Sequence, residues 1–286
     1  MRLTGIFLYP VKGLRGFAVD SAEVDALGLV GDRRFLVVDD SGQFQTQRSL
    51  PRMAQISTAL TAEQLVLRAD GAGSISVPRR SDPAAPLRKV WIWRSKDLLA
   101  EDCGPEAAAW LSAFLGGNFH LVRIGEKFRR PVLERRAPIA GESVVEGRVV
   151  TPDLFAFADG FPLLAISEAS LTDLNDRLVA IGAEPVPMDR FRPNLVVSGA
   201  PAYGEDAWPR VRFGGVAFRS GGPCARCIVT TTDQLSGERT GPEPLRTLAT
   251  YRRDAGDATR INFGLNLTNE TKSGRLHVGD AVEVLA

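Results

Sequence analysis

The chain has 286 residues, of which 44% are hydrophobic and 24% are charged, and its formal net charge at pH 7 is +1. These values are typical of a soluble globular protein with one large domain or two ordinary ones. The small net charge counts against a protein adapted along its whole surface to a nucleic-acid polymer or an anionic membrane, although its 35 Lys and Arg residues allow a local basic pocket.

The first residues, MRLTGIFLYPVKG, contain a short apolar run that ends at Pro10. This stretch lacks the long apolar region and the small-residue cleavage site of a secretory signal. No other stretch approaches the ~18 apolar residues that a membrane-spanning helix needs. Three cysteines do not make a disulfide framework. We therefore expect a cytoplasmic protein without membrane association.

In the first half of the chain, a hairpin is predicted for RFLVVDDSGQFQTQ (34–47), where β-branched residues flank Asp-Asp-Ser-Gly. A helix is predicted for GPEAAAWLSAFLGG, which has Pro105 near its start and a Gly-Gly stop. The stretch 127–147 is rich in Arg, Pro and Glu and weak in periodicity. We interpret it as a connection between an N-terminal domain, residues 1–125, and a larger C-terminal domain, residues 126–286.

In the second half, a helix is predicted for SEASLTDLNDRL, with Ser167 as its N-cap. Alternation about Gly-Gly predicts a hairpin for RVRFGGVAFRS (210–220), and a further helix is predicted for PEPLRTLATYRR. The alternating run RLHVGDAVEVLA closes the chain. Many strands with a few helices favour a mixed, β-rich α+β fold, similar to barrels with helical insertions and unlike a regular βαβ array.

Two of the three cysteines form a pair in GGPCARCIVTTTD (221–233). A structural zinc site would have to recruit Cys103 and one of only two histidines, His120 or His277, to reach four ligands. A thioredoxin-like redox pair needs its CxxC at a helix start, whereas the β-branched residues of IVTTTD predict a strand. Cysteines buried at a strand edge are a third interpretation.

A fourth interpretation is a single cysteine that ligates a metal. Arg226 precedes Cys227, and a nearby guanidinium favours the thiolate, which is a soft metal ligand. One cysteine could then hold a metal whose other ligands come from a cofactor. The spacing of the cysteines leaves all four interpretations open.

The sequence around the cysteine pair resembles a known family. The segments CARCIVTTTDQLSGE, EPLRTLATYRR, FGLNL and VGDAVEVL resemble the MOSC domain, which is named after the C-terminal part of molybdenum-cofactor sulfurase. Upstream, LYPVKGLRG, GLVGDRRFLVVD, ISEASLTDLN and RFRPNLVVSG resemble the N-terminal β-barrel and early MOSC segments of one subgroup. That subgroup contains the mitochondrial amidoxime-reducing components and bacterial reductases of N-hydroxylated compounds. The resemblance implies a MOSC β-barrel domain preceded by a smaller β-barrel-like domain.

The resemblance also implies a molybdenum cofactor, and it assigns residues to it. Cys227, the second cysteine of the pair, would ligate molybdenum as the catalytic residue, whereas Cys224 lies at a position that ligation does not require. Gly13 replaces a serine of the animal proteins, so that only its backbone N–H could contact the cofactor. The residues implied to bind molybdopterin are Lys12, Gly13, Arg33, Gly160, Arg192, Asn194, Arg226 and Asn266.

The residue types suit this assignment. Lys and Arg make charge-assisted bonds to phosphate and to ring oxygens, and Asn both donates and accepts, as a pterin edge requires. Surface salt bridges for Arg33 and Arg192, and a solvated loop position for Lys12, are the alternatives. Because Lys12 and Arg33 lie far in sequence from Cys227, we expect the cofactor to lie between the two domains.

The function implied is that of a molybdenum-dependent oxidoreductase that removes oxygen from small N-hydroxylated substrates such as amidoximes, hydroxylamines or N-hydroxylated bases. Three cysteines are too few for a four-cysteine iron–sulfur cluster. Electrons are therefore expected from a separate flavoprotein reductase, with or without a ferredoxin or a cytochrome b5-like carrier. The alternative is a carrier protein, in which Cys227 holds a persulfide or the molybdenum cofactor without turnover.

Overall fold

Strands dominate the structure, a computed structural model that describes residues 1–134, 143–145 and 147–286. The strands are β1 (Arg2–Leu8), β2 (Phe17–Val19), β3 (Ser21–Asp25), β4 (Gly28–Leu29), β5 (Phe35–Asp39), β6 (Ser57–Leu60), β7 (Gln64–Ala69), β8 (Gly73–Pro78), β9 (Leu87–Ile92), β10 (Ser95–Asp102), β11 (Phe119–Arg123), β12 (Pro131–Glu134), β13 (Ser143–Val145), β14 (Arg148–Leu154), β15 (Leu163–Ser167), β16 (Leu195–Ser198), β17 (Arg210–Phe213), β18 (Val216–Ala225), β19 (Asn262–Asn269), β20 (Gly274–His277) and β21 (Val282–Leu285).

Three α-helices accompany them in the described part of the chain: α1 (Pro105–Leu115), α2 (Glu168–Ala180) and α3 (Leu245–Ala249). Short 3-10 helices lie at Pro51–Gln55, Met188–Arg190, Gly204–Ala207 and Ile228–Thr231. The prediction of a mixed, β-rich α+β fold is confirmed. None of the described helices is long and apolar enough to cross a lipid bilayer.

An eight-stranded sheet, in the order β2-β1-β16-β15-β19-β18-β17-β21, forms the centre of the molecule. β1 runs antiparallel to β16, with Ile6 opposite Leu195, and β15 runs parallel to β16, with Ala165 opposite Leu195. The sheet therefore joins the first strands of the chain to strands that follow residue 160. The domain boundary at residue 125 stays a prediction, and this sheet contains strands from both sides of it.

Both faces of this sheet are covered, and β15 shows how the sequence achieves this. Leu163 and Ala165 belong to one hydrophobic cluster, whereas Leu164 and Ile166 belong to a second cluster that includes residues of α2. Successive strand residues point to opposite faces. A strand covered on both faces therefore needs the continuous apolar run LLAI rather than an alternating pattern.

Seven further N-terminal strands form the sheet β5-β11-β10-β9 and the sheet β6-β7-β8. A hydrophobic cluster with members from β5, β7, β11 and α1 lies between them. As predicted, α1 begins at Pro105 and is followed by Gly116, whose φ of +78° gives the left-handed cap that ends many helices. The smaller sheets β12-β14-β13 and β20-β3-β4 complete the described fold.

Most of the locally predicted elements are confirmed. Asp39 and Gln43 close the hairpin after β5 through a backbone hydrogen bond, and β17 and β18 pair about Gly214-Gly215. The Ser167 side chain accepts a hydrogen bond from Ser170 N at 3.1 Å and caps α2 as predicted. The helix predicted for 242–253 is shorter than expected, because α3 covers only Leu245–Ala249.

Three expectations need correction. IVTTTD begins with a 3-10 helix instead of a strand, because Thr230 and Thr231 donate hydroxyl hydrogen bonds to Cys227 O and Ile228 O, at 3.0 and 2.8 Å, and so stabilise a tight turn. The predicted connection 127–147 contains β12 and β13, although residues 135–142 and 146 lie outside the described residues. The closing alternating run is divided into two strands, β20 and β21.

Candidate functional site

All nine residues assigned to the cofactor or the metal line one cavity of about 810 Å³. They lie between positions 12 and 266 of the chain and on both sides of the predicted domain boundary. They are Lys12, Gly13, Arg33, Gly160, Arg192, Asn194, Arg226, Cys227 and Asn266. The volume is in the range of small-molecule and cofactor sites. Lys12 is thus brought to the same cavity as Cys227, as expected for a site between the two regions.

Backbone hydrogen bonds fix the loop that carries Lys12 and Gly13. After β1, Lys12 N donates to Phe35 O, and Phe35 N donates to Pro10 O, both at 3.0 Å. Gly13 has a φ of +84°, and a Cβ at this position would lie 2.9 Å from Met53 Cε. Any side chain at position 13 would therefore be strained, which explains why the turn uses glycine.

The Lys12 ammonium group faces Asp159, which the sequence analysis did not single out. Lys12 Nζ lies 2.5 Å from Asp159 Oδ1, the same oxygen accepts from Trp93 Nε1 at 2.9 Å, and Arg48 Nη2 lies 3.7 Å from Oδ2. Burial lowers the pKa of Lys12 to about 8, against the opposing attraction of Asp159. Desolvation would raise the pKa of Asp159, but Lys12 and Arg48 hold it well below its usual range. Both groups are therefore charged at neutral pH.

Burial of the Lys12 charge predicts how stability depends on pH. The pKa falls from 10.5 to about 8 on folding, so between these values the unfolded chain binds more protons than the native chain, and stability rises with pH. Compared with Lys12→Met, the wild type should gain about 1 kcal/mol of unfolding free energy per pH unit from pH 8 towards pH 10. Denaturant unfolding of both proteins across this range measures the difference. A flat difference would mean that position 12 holds no buried charge.

Arg33 and Arg192 both lie against the Tyr9 ring. Their guanidinium carbons are 4.8 and 4.3 Å from its centroid, within the range of cation–π attraction. Arg33 Nη1 donates to Asp32 Oδ2 at 2.5 Å, and Arg192 Nη2 donates to Leu14 O at 2.6 Å. Burial lowers the pKa of Arg192 to about 10, so this guanidinium stays charged at neutral pH. Tyr9 and these partners hold two cations in fixed positions on the cavity wall.

The backbone conformation of the same two arginines is unusual. Arg33 has a φ of +48° and Arg192 a φ of +54°. Non-glycine residues rarely adopt positive φ, and those that do are concentrated at functional sites. Pro193, which follows Arg192, has its own φ fixed near −65°. The strain at both arginines agrees with a site that depends on where their side chains point.

Asn194 is fully buried and joins three segments of the chain. Its Oδ1 accepts from Arg33 Nη1 at 2.9 Å and from Leu164 N at 3.3 Å, and its Nδ2 donates to Phe7 O at 3.2 Å. Both lone pairs of the amide oxygen are thereby used. In this structure Asn194 positions Arg33 and connects β15 to β1 through Leu164 and Phe7. One N–H of its amide remains for a further partner.

The cysteine pair is arranged differently from the sequence expectation. Arg226 Nη1 donates to Cys224 Sγ at 3.1 Å, and its Nη2 donates to Phe191 O at 2.7 Å. The guanidinium therefore faces Cys224 instead of Cys227, because alternate residues of extended backbone share a face. β18 continues through Ala225, and Cys227 remains extended with φ −137° and ψ 177°. Cys227 is the N-cap of the short 3-10 helix Ile228–Thr231, and both cysteines line the cavity.

Gly160 and Asn266 border the same cavity with few constraints. A Cβ at Gly160 would meet no heavy atom within 4 Å, so a side chain there would extend into open space. Asn266 Nδ2 donates to Pro223 O at 3.4 Å. Neither residue is strained, and their assignment to the cofactor stays a prediction.

Arg130 holds one wall segment of the cavity in place, and nothing in the sequence indicated this role. It is 2% exposed, and its guanidinium donates to three backbone carbonyls of the 156–159 segment, Ala156 O at 3.1 Å, Ala158 O at 2.5 Å and Asp159 O at 3.0 Å. Its Nε donates to Ser95 Oγ at 3.1 Å. One buried side chain therefore fixes the segment that presents Asp159 and Gly160. Desolvation lowers the pKa of Arg130 to about 10, so it remains charged.

The cavity is strongly basic although the whole chain is nearly neutral. Among the described residues that line it, eight are basic and three are acidic. The basic residues are Lys12, Arg33, Arg48, Arg94, Arg148, Arg192, Arg226 and Arg260, and the acidic residues are Asp159, Asp254 and Asp257. This excess of positive charge favours an anionic ligand, and guanidinium groups are well suited to phosphate.

The donor set agrees with a metal held mainly by a cofactor. Across residues 1–134, 143–145 and 147–286 there is no cluster of three or more His, Cys, Asp or Glu that could hold a metal ion, which counts against the zinc interpretation. Two half-buried thiols, Cys224 and Cys227, line the cavity, and the Cys224 sulfur accepts the hydrogen bond from Arg226. The buried Arg226 Nε has no hydrogen-bond partner among the described residues. A phosphorylated pterin that brings its own metal ligands fits this combination of few thiols, many cations and an unpaired donor.

Sequence comparisons agree with the resemblance noted from individual segments. The family model of the MOSC N-terminal beta barrel domain matches residues 1–118, and that of the MOSC domain matches residues 152–283. Mitochondrial amidoxime reducing component 2 of Bos taurus is 33% identical over 287 residues, which cover 97% of this chain and 81% of the relative.

Two further relatives match over nearly the full chain. Mitochondrial amidoxime-reducing component 1 of Mus musculus is 34% identical, covering 98% of this chain and 81% of the relative. The Homo sapiens protein of the same name is 32% identical, covering 98% of this chain and 82% of the relative. The chain therefore belongs to the MOSC family, among the proteins that join a MOSC N-terminal β-barrel domain to a MOSC domain.

Proposed function

We propose that this protein is a molybdenum-cofactor-dependent reductase that removes oxygen from N-hydroxylated compounds in the cytoplasm. The observation that carries the proposal is the cavity that brings together Cys227, Lys12 and the strained, half-buried Arg33 and Arg192. The names of the relatives, amidoxime-reducing components, support the reaction class. An anion-binding cavity lined by the Cys227 thiol fits that class, because the cofactor is itself a phosphorylated anion.

Each residue has a definite role in this proposal. Cys227 would ligate the metal through its sulfur. Lys12, Arg33 and Arg192 would bind the phosphate and the ring oxygens of the pterin through charge-assisted hydrogen bonds. When bound, the cofactor supplies the two-electron redox chemistry that cleavage of an N–O bond requires. The protein holds the cofactor, leaves room for a substrate and orients its N–O group.

The reaction consumes two electrons and two protons for each substrate. An amidoxime loses its hydroxyl oxygen as water, the N–O bond breaks, and the amidine nitrogen gains a proton. The three cysteines of the sequence cannot supply a four-cysteine iron–sulfur cluster. We therefore assign the electrons to a separate flavoprotein reductase, with or without a ferredoxin or a cytochrome b5-like carrier.

The proposal is tested with protein purified from a host that makes molybdenum cofactor. We expect about one molybdenum and one pterin per chain, by metal analysis and by pterin fluorescence after oxidation. Under anaerobic conditions, with chemically reduced methyl viologen as donor, benzamidoxime should be converted to benzamidine. Loaded protein that leaves benzamidoxime unchanged contradicts the proposal. A persulfide on Cys227, found by mass spectrometry without turnover, would support the sulfur-carrier alternative.

A further inference from the structure

The loop between β9 and β10 carries a tryptophan at a position that usually takes glycine or asparagine. Ile92 and Ser95 pair across the hairpin, so that Trp93 and Arg94 form a two-residue loop. Trp93 has a φ of +54°. Two-residue hairpin loops favour Gly, Asn or Asp where φ is positive, because a Cβ is strained there. A bulky side chain kept in such a position points to a function for that side chain.

Three contacts fix the orientation of the Trp93 ring. Its Nε1 donates to Asp159 Oδ1 at 2.9 Å. The Arg48 guanidinium carbon lies 4.4 Å from the ring centroid, and Phe44 meets the ring at a steep angle with centroids 4.9 Å apart. Even so, 48% of Trp93 is exposed. The ring is therefore a preorganised aromatic surface that still has area available for a ligand.

Trp93 lies on a wall that two adjoining cavities share. Next to the large cavity is a smaller one of about 370 Å³, and Trp93, Asp159 and Gly160 line both. The residues that line only the smaller cavity are Ser95, Arg130, Pro131 and Phe155, and Arg94 and Arg148 line both cavities. The Arg130 guanidinium already donates to backbone carbonyls and lies 4.2 Å from the centroid of the Phe155 ring. The cavity that contains Cys227 thus continues into a compartment that combines arginines with aromatic and apolar surface, and this surface suits the carbon skeleton of a ligand.

Building on the proposed function, we propose that Trp93 selects substrates whose N-hydroxylated group is attached to a planar aromatic ring. The substrate ring would stack on the exposed part of the indole and fill the smaller cavity. Its N-hydroxylated group would then point into the larger cavity, towards the side that holds Cys227. Aromatic stacking contributes to binding in a manner that depends on the ring and hardly at all on its polar substituents. Trp93 is a positioning residue that determines specificity.

A pair of substrates with the same N–O group separates this role from general damage. Benzamidoxime and acetamidoxime are both amidoximes, and only the first carries a ring. Trp93→Leu should raise KM for benzamidoxime about tenfold, in line with the loss of one stacking contact. KM for acetamidoxime should change less than about twofold, because this substrate makes no such contact. Trp93→Phe should give an intermediate KM for benzamidoxime, because it restores a smaller ring.

Matched controls make the experiment decisive. Trp91 lies on β9, is 40% exposed and is absent from the walls of both cavities, so Trp91→Leu should leave both KM values unchanged. Trp93→Gly removes the ring and also relieves the positive φ, and it replaces Trp93→Leu if that variant folds poorly. Molybdenum content should be the same in all variants. Lower content in Trp93→Leu alone would mean that the ring contacts the cofactor, and the inference would be overturned.

A binding measurement separates failure of this inference from failure of the proposed function. Without an electron donor, benzamidoxime should quench wild-type tryptophan fluorescence, and Trp93→Phe should lose most of the quenching. If the wild type binds benzamidoxime in this way but reduces neither amidoxime, the proposed function fails. The role of Trp93 is overturned if Trp93→Leu impairs both amidoximes equally, or if it changes neither the quenching nor the KM for benzamidoxime.

Discussion

Cys227→Ser is expected to abolish the reduction of N-hydroxylated substrates. The variant should lose at least about a hundredfold in kcat with artificial donor, because even partners of metal ligands are worth 10–100-fold in affinity or activity. It should also lose most of its molybdenum. The fold should survive, since Cys227 is the N-cap residue of a 3-10 helix and serine is a favourable residue at helix starts. Metal analysis, turnover and thermal unfolding measure these three properties.

Cys224→Ser is the matched control for this loss. The Cys224 sulfur accepts a hydrogen bond from Arg226 at 3.1 Å, and a serine hydroxyl can accept the same bond. We expect Cys224→Ser to keep its molybdenum and to lose less than about threefold in kcat. Equal losses in the two variants would contradict the assignment of Cys227 as the metal ligand. Full activity in Cys227→Ser would contradict it as well.

Arg130→Met is expected to destabilise the protein and to loosen the cavity wall. The substitution removes the donor to three carbonyls of the 156–159 segment and leaves buried acceptors without partners, at about 1–3 kcal/mol each before relaxation. It also removes a buried charge, which offsets part of this cost. We expect a net loss of about 3 kcal/mol in the free energy of unfolding. Denaturant unfolding measures this loss of stability. A lower molybdenum content in the purified variant would show that the loosened wall binds the cofactor less well.

Arg129→Met controls for the loss of an arginine in the same segment. Arg129 donates to Glu126 O and Phe128 O, both at 2.7 Å, but does so at an exposed position. Water can replace these bonds, so Arg129→Met should change stability by less than about 0.5 kcal/mol. If the two variants unfold at the same denaturant concentration, Arg130 does not hold the wall in the way described.

Local signals in the sequence were sufficient for the local elements. Pro105 and Gly116 mark the ends of α1, and Ser167 caps α2, because each acts through neighbouring backbone groups alone. The β-branched run IVTTTD led to a wrong prediction of a strand, because here too neighbouring backbone groups decide the local structure. Threonine side chains can satisfy carbonyls within their own turn, and strand propensity takes no account of that competing set of hydrogen bonds.

The site itself could be predicted only in part. Family resemblance indicated nine residues that the structure brings to one cavity. It gave no sign of Arg130, which acts through backbone carbonyls of a segment about 28 residues away. It also gave no sign of Trp93, whose position depends on the hairpin formed by β9 and β10 in the N-terminal part of the chain. Contacts of this kind depend on how distant segments pack together, and no local pattern records them.

The position of β1 between β2 and β16 has a consequence for biosynthesis. At the usual 5–20 residues per second, roughly 10–40 s pass between synthesis of this strand and synthesis of its partner at Leu195–Ser198. During that time the nascent chain exposes an unpaired apolar edge, which is a template for wrong association. Arg192 emerges from the ribosome just before this partner strand, and Cys227 emerges after it. A cofactor that needs both of them, together with Lys12, can enter only after nearly the whole chain has been translated.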